Sequence, residues 1–247
     1  MQNKNIKKHY VCVMPMAGEG LRFKKYGYKT LKPLITINKI PMFIKATKSF
    51  PKTFKWIFIA REKINFKENI KKFTKSIKKK KFVLLNKKTQ GQASTVYKSL
   101  KYLNKNDVII VHSCDLSFKI NLSLFKRKIQ ENDLLVFTAK GSNYHFKNHK
   151  DFSWVKKTKD IYKISLKKKF KSNKSSKVLI GTFAFKSKKI MKDLLEYTFK
   201  KKIKINNEYY MDTLIFIAQK MGYRLNELLV NKYHSWGSHP ELLNYKN

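Results

Sequence analysis

Along the first 140 residues, short runs rich in β-branched and aromatic residues alternate with longer amphipathic stretches. The runs fall at 10–14, 56–60, 82–85, 108–113 and 134–139 and read as strands. Between them, about 42–50, 64–77, 93–103 and 122–130 have helical character. Strand and helix in repetition predict βαβ units and a mostly parallel sheet. After Gly141 the texture changes: 152–155, 161–166 and 178–185 read as strands joined by Lys-, Ser- and Asn-rich turns, with no long helix between them. This part is expected to add antiparallel strands and a substrate-side lobe to the same sheet. Helices at about 188–199 and 209–220, a strand at 224–230 and a helix from Pro240 complete the pattern. No repeat of fixed period is present.

The 247 residues suit one domain with a fully buried sheet, divided into halves at 1–140 and 141–247. With 42% hydrophobic and 14% aromatic residues the chain has the material for a core, which excludes intrinsic disorder. Against this stands a formal charge of +42, from 57 Lys and Arg and 15 Asp and Glu. Such a field attracts nucleic acid, anionic lipid and phosphorylated ligands. The lysines, however, are scattered and accompany many Asn, Ile, Phe and Tyr, the mix of an AT-rich genome. Non-specific polyanion binding is the expected by-product, without a specific nucleic-acid partner. The biased stretches 78–81 and 167–177 are expected to be solvated. The apolar run 10–17 is too short for a membrane span and is broken by Pro15 and Gly18. Cys12 and Cys114 each lie in apolar runs and read as buried, reduced thiols, so a cytoplasmic location without membrane insertion is expected.

Chemistry concentrates just after the first strand, in Met14-Pro-Met-Ala-Gly-Glu-Gly-Leu-Arg-Phe23, followed by Lys32-Pro33-Leu34. A Gly-rich turn leaving a strand gathers backbone N–H groups into a concavity that binds phosphate oxygens. Gly18 and Gly20 provide the backbone freedom, and Arg22 and Lys32 place two cations beside the cradle. A dinucleotide fingerprint would need a third Gly where Phe23 stands, and the Gly-Lys-Ser/Thr of a P-loop is absent. Asp115 follows the apolar strand 108–113 at its C-terminal end, where open parallel sheets place ligands. None of the six histidines has the spacing of a zinc site.

These motifs resemble the sugar-phosphate nucleotidylyltransferase family, whose signature is an apolar strand, Ala-Gly-x-Gly-x-Arg-Phe and then Lys-Pro-Leu. Here they stand as Ala17-Gly18-Glu19-Gly20-Leu21-Arg22-Phe23 and Lys32-Pro33-Leu34. Gly27-Tyr28-Lys29 and Ile40-Pro41-Met42 look like the subgroup found beside capsule and surface-polysaccharide biosynthesis. The likeness continues, in order, at Gly91-Gln92-Ala93, Cys114-Asp115, Asn207-Glu208-Tyr209-Tyr210 and Trp236-Gly237-Ser238.

The resemblance implies a Rossmann-like three-layer α/β/α fold with a mostly parallel mixed sheet. It also implies transfer of a nucleoside monophosphate from an NTP to a phosphorylated small molecule, such as a sugar 1-phosphate, with release of pyrophosphate. The first half would bind the NTP and the second the acceptor. In that scheme Arg22 and Lys32 are catalytic, and Ala17, Gly18, Glu19, Gly20, Gly91 and Gln92 bind the nucleotide. Lys167, Gly181 and Glu208 bind the acceptor, and Asp115 holds Mg2+. Where many members carry a second metal-binding Asp, this chain has Ser235, and Leu166 replaces the Glu that precedes the acceptor lysine. Asp212 is taken as the substitute metal ligand, with Glu208 as another. A glycosyltransferase of related architecture would carry Asp-x-Asp, whereas the sequence reads Asp115-Leu116-Ser117. A catalytically silent nucleotide-binding relative and a basic nucleic-acid-binding protein are the remaining rivals.

Overall fold

A computed structural model describes residues 8–61, 66–159, 161–166, 170 and 176–246. Strand β1 (Tyr10–Met16) leads through helix α1 (Leu21–Lys24) to a short hairpin, β2 (Thr36–Ile37) and β3 (Ile40–Pro41), and helix α2 (Met42–Thr47). The alternation continues with β4 (Lys55–Arg61), α3 (Phe66–Phe73), β5 (Lys80–Leu85), α4 (Gln92–Tyr97) and β6 (Val108–His112). Next come β7 (Leu116–Lys119), α5 (Leu122–Glu131), β8 (Leu134–Ala139) and α6 (Asn143–Lys147). The remainder comprises β9 (Ser153–Thr158), β10 (Ile161–Ser165), β11 (Lys177–Phe185), α7 (Lys188–Lys200), α8 (Thr213–Lys220), β12 (Leu225–Leu229), β13 (Asn231–Ser235) and α9 (His239–Lys246).

Strands β5, β4, β1 and β6 lie side by side in parallel. Strand β11 follows antiparallel to β6, and β8 and β12 beyond it run parallel to each other. The β9–β10 pair extends the sheet from the first residues of β11. Alternation along β1 explains why its sequence is apolar throughout. Cys12, Met14 and Met16 face one layer, against Phe43 and Ala46 of α2 and Phe125 and Ile129 of α5. Val11 and Val13 face the other, with Ala93 and Val96 of α4, Leu194 of α7 and Ile215 of α8. A strand covered on both faces has no polar side to show. Each fully buried aliphatic side chain contributes roughly 1.5–3 kcal/mol. The expected α/β architecture with a mostly parallel mixed sheet is therefore present.

Several elements differ from the sequence reading. The helix expected over 209–220 begins only at Thr213, because the preceding backbone pairs elsewhere: Tyr209 N donates to Gln90 O and Ala93 N to Tyr209 O, at 2.8 and 3.0 Å. The stretch 93–103 divides into α4 and a 3₁₀ turn at Leu100–Tyr102. The pairing of β13 with β7 has no local signal, since it joins segments more than a hundred residues apart. Lys80 and Lys81, expected in a solvated run, open β5 at the sheet edge, where lysines discourage further pairing. Lys80 Nζ also donates to the carbonyls of Thr74 and Ile77 just beyond α3, at 2.7 and 3.0 Å. Cys12 and Cys114 are buried and free, as expected.

Candidate functional site

The loops leaving the C-terminal ends of β1 and β6 enclose a cavity of about 420 Å³. The residues from Ala17 to Arg22 form one wall. Lys32, Pro33, Ser113, Cys114 and Asp115 form another, and Lys88, Thr89, Gly91, Gln92, Thr95 and Glu208 complete it. Gly20 turns the first wall with φ +67°, and a Cβ there would fall 3.1 Å from the Lys32 Cβ. Glycine therefore serves both the left-handed backbone and the close approach of Lys32. Phe23 N and Lys24 N then donate to Gly20 O, at 2.9 and 3.2 Å. Phe23 anchors this turn in a small apolar cluster with Ile35, Ile37, Met42, Trp236 and Leu242. The loop after β1 is thus packed against the C-terminal helix.

The centre of the site is an ion pair. Lys32 Nζ lies 2.5 Å from Asp115 Oδ2, with each side chain 21% exposed, and donates a second bond to Gly237 O at 3.1 Å. Burial alone would raise the Asp115 pKa, but the Lys32 ammonium, helped by Arg22, outweighs it and holds the carboxyl below its ordinary value. Burial likewise works against the Lys32 charge, and Asp115 reverses it, so that ammonium stays protonated. Burial and the neighbouring Asp115 push the Cys114 thiol up to about 12, which makes it an unreactive packing group.

One further loop reaches this pair. Trp236 N donates to Asp115 O at 2.7 Å and brings Gly237 above the carboxylate. A Cβ on Gly237 would stand 3.3 Å from Asp115 Oδ2 and 3.2 Å from Glu241 Oε2. Glu241 is 7% exposed and accepts from the Ser238 hydroxyl at 2.7 Å, a side-chain bond at the start of α9. On the opposite wall Gly91 has φ +102°, and a Cβ would collide at 2.7 Å with the backbone N and O of Tyr209. That close contact sets Glu208 beside Gly91 at the cavity. Lys88 Nζ bridges to Glu19 Oε2 at 2.9 Å and ties the Ala17–Arg22 loop to the loop after β5. The bridge is exposed, so its worth lies in closing the mouth more than in stability.

The structure brings Ala17, Gly18, Glu19, Gly20, Arg22, Lys32, Gly91, Gln92, Asp115 and Glu208 to one cavity. Gly181 stands one residue behind it: its carbonyl accepts from Ser113 Oγ at 3.2 Å, at the irregularity of β11 where pairing passes from β9 to β6. Asp212 precedes α8 and accepts from Ser153 Oγ at 2.6 Å; it does not line the cavity. Lys167 lies outside the described residues. Lys88, Ser113 and Glu241 escaped the sequence reading. For Glu241 the Ser-x-x-Glu spacing was a signal of capping, whereas nothing local distinguishes Lys88 from the other lysines.

The atoms that accept from the Lys32 ammonium are oxygens, the ligand type a hard cation such as Mg2+ prefers. Gly237 leaves space there that any side chain would fill. Among the described residues no three His, Cys, Asp or Glu side chains gather as metal ligands. A cation at Asp115 would therefore complete its shell with phosphate oxygens and water, which is how Mg2+ is usually held beside a nucleotide. The site fits that ion.

No family model matches the chain, and no curated protein does. In three dimensions it is similar to a nucleoside-diphosphate-sugar pyrophosphorylase from Vibrio cholerae RC9, with TM-score 0.79 and 19% identity over 95% of this chain and 99% of the other. It is similar to the inositol-1-phosphate CTP transferase from T. maritima, with TM-score 0.71 and 13% identity over 95% and 92% of the two chains. The UTP-bound UGPase from Acinetobacter baumannii gives TM-score 0.71 and 15% identity over 96% and 91%. At these identities the likeness establishes the fold, that of sugar-phosphate nucleotidylyltransferases. No helix among the described residues is long and apolar enough to cross a membrane.

Proposed function

We propose that this chain is a nucleotidylyltransferase, which moves a nucleoside monophosphate from an NTP to a phosphorylated small molecule and releases pyrophosphate. The observation that carries the reading is the Gly18–Gly20 cradle, Arg22 and the Lys32–Asp115 pair on one cavity at the strand ends. The acceptor's phosphate is already ionised at neutral pH, so the protein needs neither nucleophile nor base. Its task is to align two mutually repelling anions and to spread the charge that develops at the α-phosphorus and the leaving pyrophosphate. Backbone N–H groups from Gly18 to Gly20 hold the triphosphate oxygens, and Arg22 and Lys32 neutralise the leaving group. Gly91 and Gln92 face the nucleobase. Glu208, with Ser113 braced on Gly181, borders the acceptor side. When bound at Asp115, Mg2+ supplies charge neutralisation and alignment of the α-phosphate.

A phosphorylated precursor of surface glycans, with the reaction in the cytoplasm, is the setting we infer from the resemblance of the Gly27-Tyr28-Lys29 and Ile40-Pro41-Met42 motifs. In this reading the chain works as one unit, with 1–140 serving the nucleotide and 141–247 the acceptor. The test is pyrophosphate release from CTP, UTP, dTTP, ATP and GTP with Mg2+ and a panel of phosphorylated acceptors. Acceptor-dependent release that falls about 10²–10³-fold in Asp115→Ala is the expected result. Nucleotide binding without release across the panel would support a silent relative instead.

A further inference from the structure

A second cavity, of about 360 Å³, opens between α6, β13 and α9. Among the described residues none lines both this cavity and the one at the strand ends. Its walls are largely rings: Tyr144 and His145 from α6, Tyr233 and His234 from β13, and Tyr245 from α9. His145 and Tyr233 lie 28° from parallel with centroids 5.9 Å apart, and His234 meets Tyr245 at 74° and 4.8 Å. His145 Nδ1 accepts from Ser142 N at 3.1 Å, which leaves the proton of the neutral ring on Nε2. Burial lowers the pKa of both imidazoles, with Lys45 and Lys232 adding to the effect at His234. Burial, with the Glu241 charge adding to it, raises those of the Tyr144 and Tyr233 hydroxyls. Of the described lining residues, Glu241 alone is therefore charged at neutral pH. It is 7% exposed, and none of the ion pairs among the described residues includes it. Burying a charge without a partner is costly. In a chain with 57 Lys and Arg, a buried carboxylate without a cation and a cavity lined by neither residue type are both unexpected. The first turn of α9 favours a carboxylate through its dipole, which accounts for Glu241 on the helix but not for an opening walled by rings. Lys45 Nζ stands over the Tyr245 ring, 4.6 Å from its centroid, and does not line the cavity.

We propose that this cavity binds a small organic cation, an alkylammonium whose charge pairs with Glu241 and whose carbon substituents rest on the rings of Tyr144, His145 and Tyr233. Aromatic rings attract such an ion through their quadrupole, and a fully substituted ammonium, which has no N–H to satisfy, loses nothing by leaving water for them. A hard metal ion is a poor fit, since it needs six or more oxygens, and among the described residues no three His, Cys, Asp or Glu side chains gather. The volume suits a small ligand. This inference stands apart from the nucleotidyl-transfer reading, because the cavity is complete without a nucleotide.

Titration with tetramethylammonium, followed by saturation-transfer NMR of its methyl signal in the absence of nucleotide, tests the site. Wild type should bind it saturably, and sodium chloride at equal ionic strength should not displace it. A molecule of charge +42 repels cations at its surface, so a saturable signal reports a built site. Glu241→Gln keeps an acceptor for Ser238 and removes the charge, and should weaken binding about tenfold or more. Tyr144→Leu removes one ring and should weaken it about two- to fivefold. tert-Butanol, of similar size but uncharged, should not bind saturably. Thermal melting checks that each variant folds, and if one does not, the other carries the test. The inference is overturned if wild type shows no saturable binding, if a folded variant binds as tightly as wild type, or if tert-butanol binds as well. Each of these results leaves the transferase reading untouched, since pyrophosphate release tests that separately.

Discussion

Single residues fix the site through contacts that tolerate no addition. Gly91 combines φ +102° with the backbone of Tyr209 at 2.7 Å from any Cβ, so both the torsion and the space exclude other residues. His112 does related work beneath the loop that carries Cys114 and Asp115. It is fully buried, and its Nε2 lies 3.1 Å from Ala46 O, an atom that can only accept; Nε2 therefore carries the proton. Nδ1 then accepts from Thr182 Oγ1 at 3.0 Å. The neutral ring thus joins β6 to α2 and β11, two residues before Cys114. Burial lowers its pKa from 6.5 to about 4, against the opposing pull of the Ala46 hydrogen bond and of Asp115. The unfolded chain therefore binds the proton more readily. The contribution of His112 is full above pH 6.5 and is lost as pH falls towards about 4, on the order of 3 kcal/mol. Urea unfolding at pH 7 and pH 4.5 should show this loss in wild type, and a smaller loss in His112→Gln.

Among the elements, α9 has a role out of proportion to its place at the end of the chain. Its Leu242 is fully buried in the cluster that holds Phe23 and Trp236. That cluster links the turn carrying Arg22 to the strand end carrying Gly237, the second acceptor of Lys32. Leu242→Ala should lower stability by about 2–5 kcal/mol. If α9 braces the site as argued, the same change should also raise KM for the NTP more than it lowers kcat. Thermal unfolding and steady-state pyrophosphate release measure the two effects. Strand β11 shows a different elemental device. It inserts antiparallel between β6 and β8, and its irregularity at Gly181, φ +66°, lets one edge serve β9 and then β6.

At the scale of the whole molecule, the charge of +42 governs encounters more than fold. Ten or so of its lysines opposite a DNA backbone would give binding indifferent to sequence. Random duplex DNA should therefore bind in 50 mM salt and lose about 10³–10⁵ in affinity by 200 mM, as read by fluorescence anisotropy. Affinity that persisted at high salt, or followed base sequence, would indicate a built nucleic-acid site. The same field should speed capture of an anionic nucleotide, with a rate that falls as salt rises.

How much of this was legible beforehand depended on the range over which each feature is encoded. Buried strands such as β1 and β6 appear as continuous apolar runs because both faces are covered, and the run itself carries that information. That Gly18, Gly20, Arg22 and Lys32 would share one cavity was equally readable, since they lie within fifteen residues, just after a strand that turns sharply. Pairings across a hundred residues have no such local trace. That β13 would lie on β7 and bring Gly237 to Lys32, that Tyr209 would pair with Gln90 and so shorten α8, and that Asp212 would turn to Ser153 and not to the cavity were decided by packing. A helix start such as Asp212 and a cavity carboxylate such as Glu208 look alike in a sequence, because local propensity is the same for both. The sequence by itself determined the sheet, its buried strands and the Gly-rich loop after β1, through periodicity and residue type. The tertiary structure decided which carboxylate faces Lys32, because only the folded chain sets distances between residues that sequence leaves far apart.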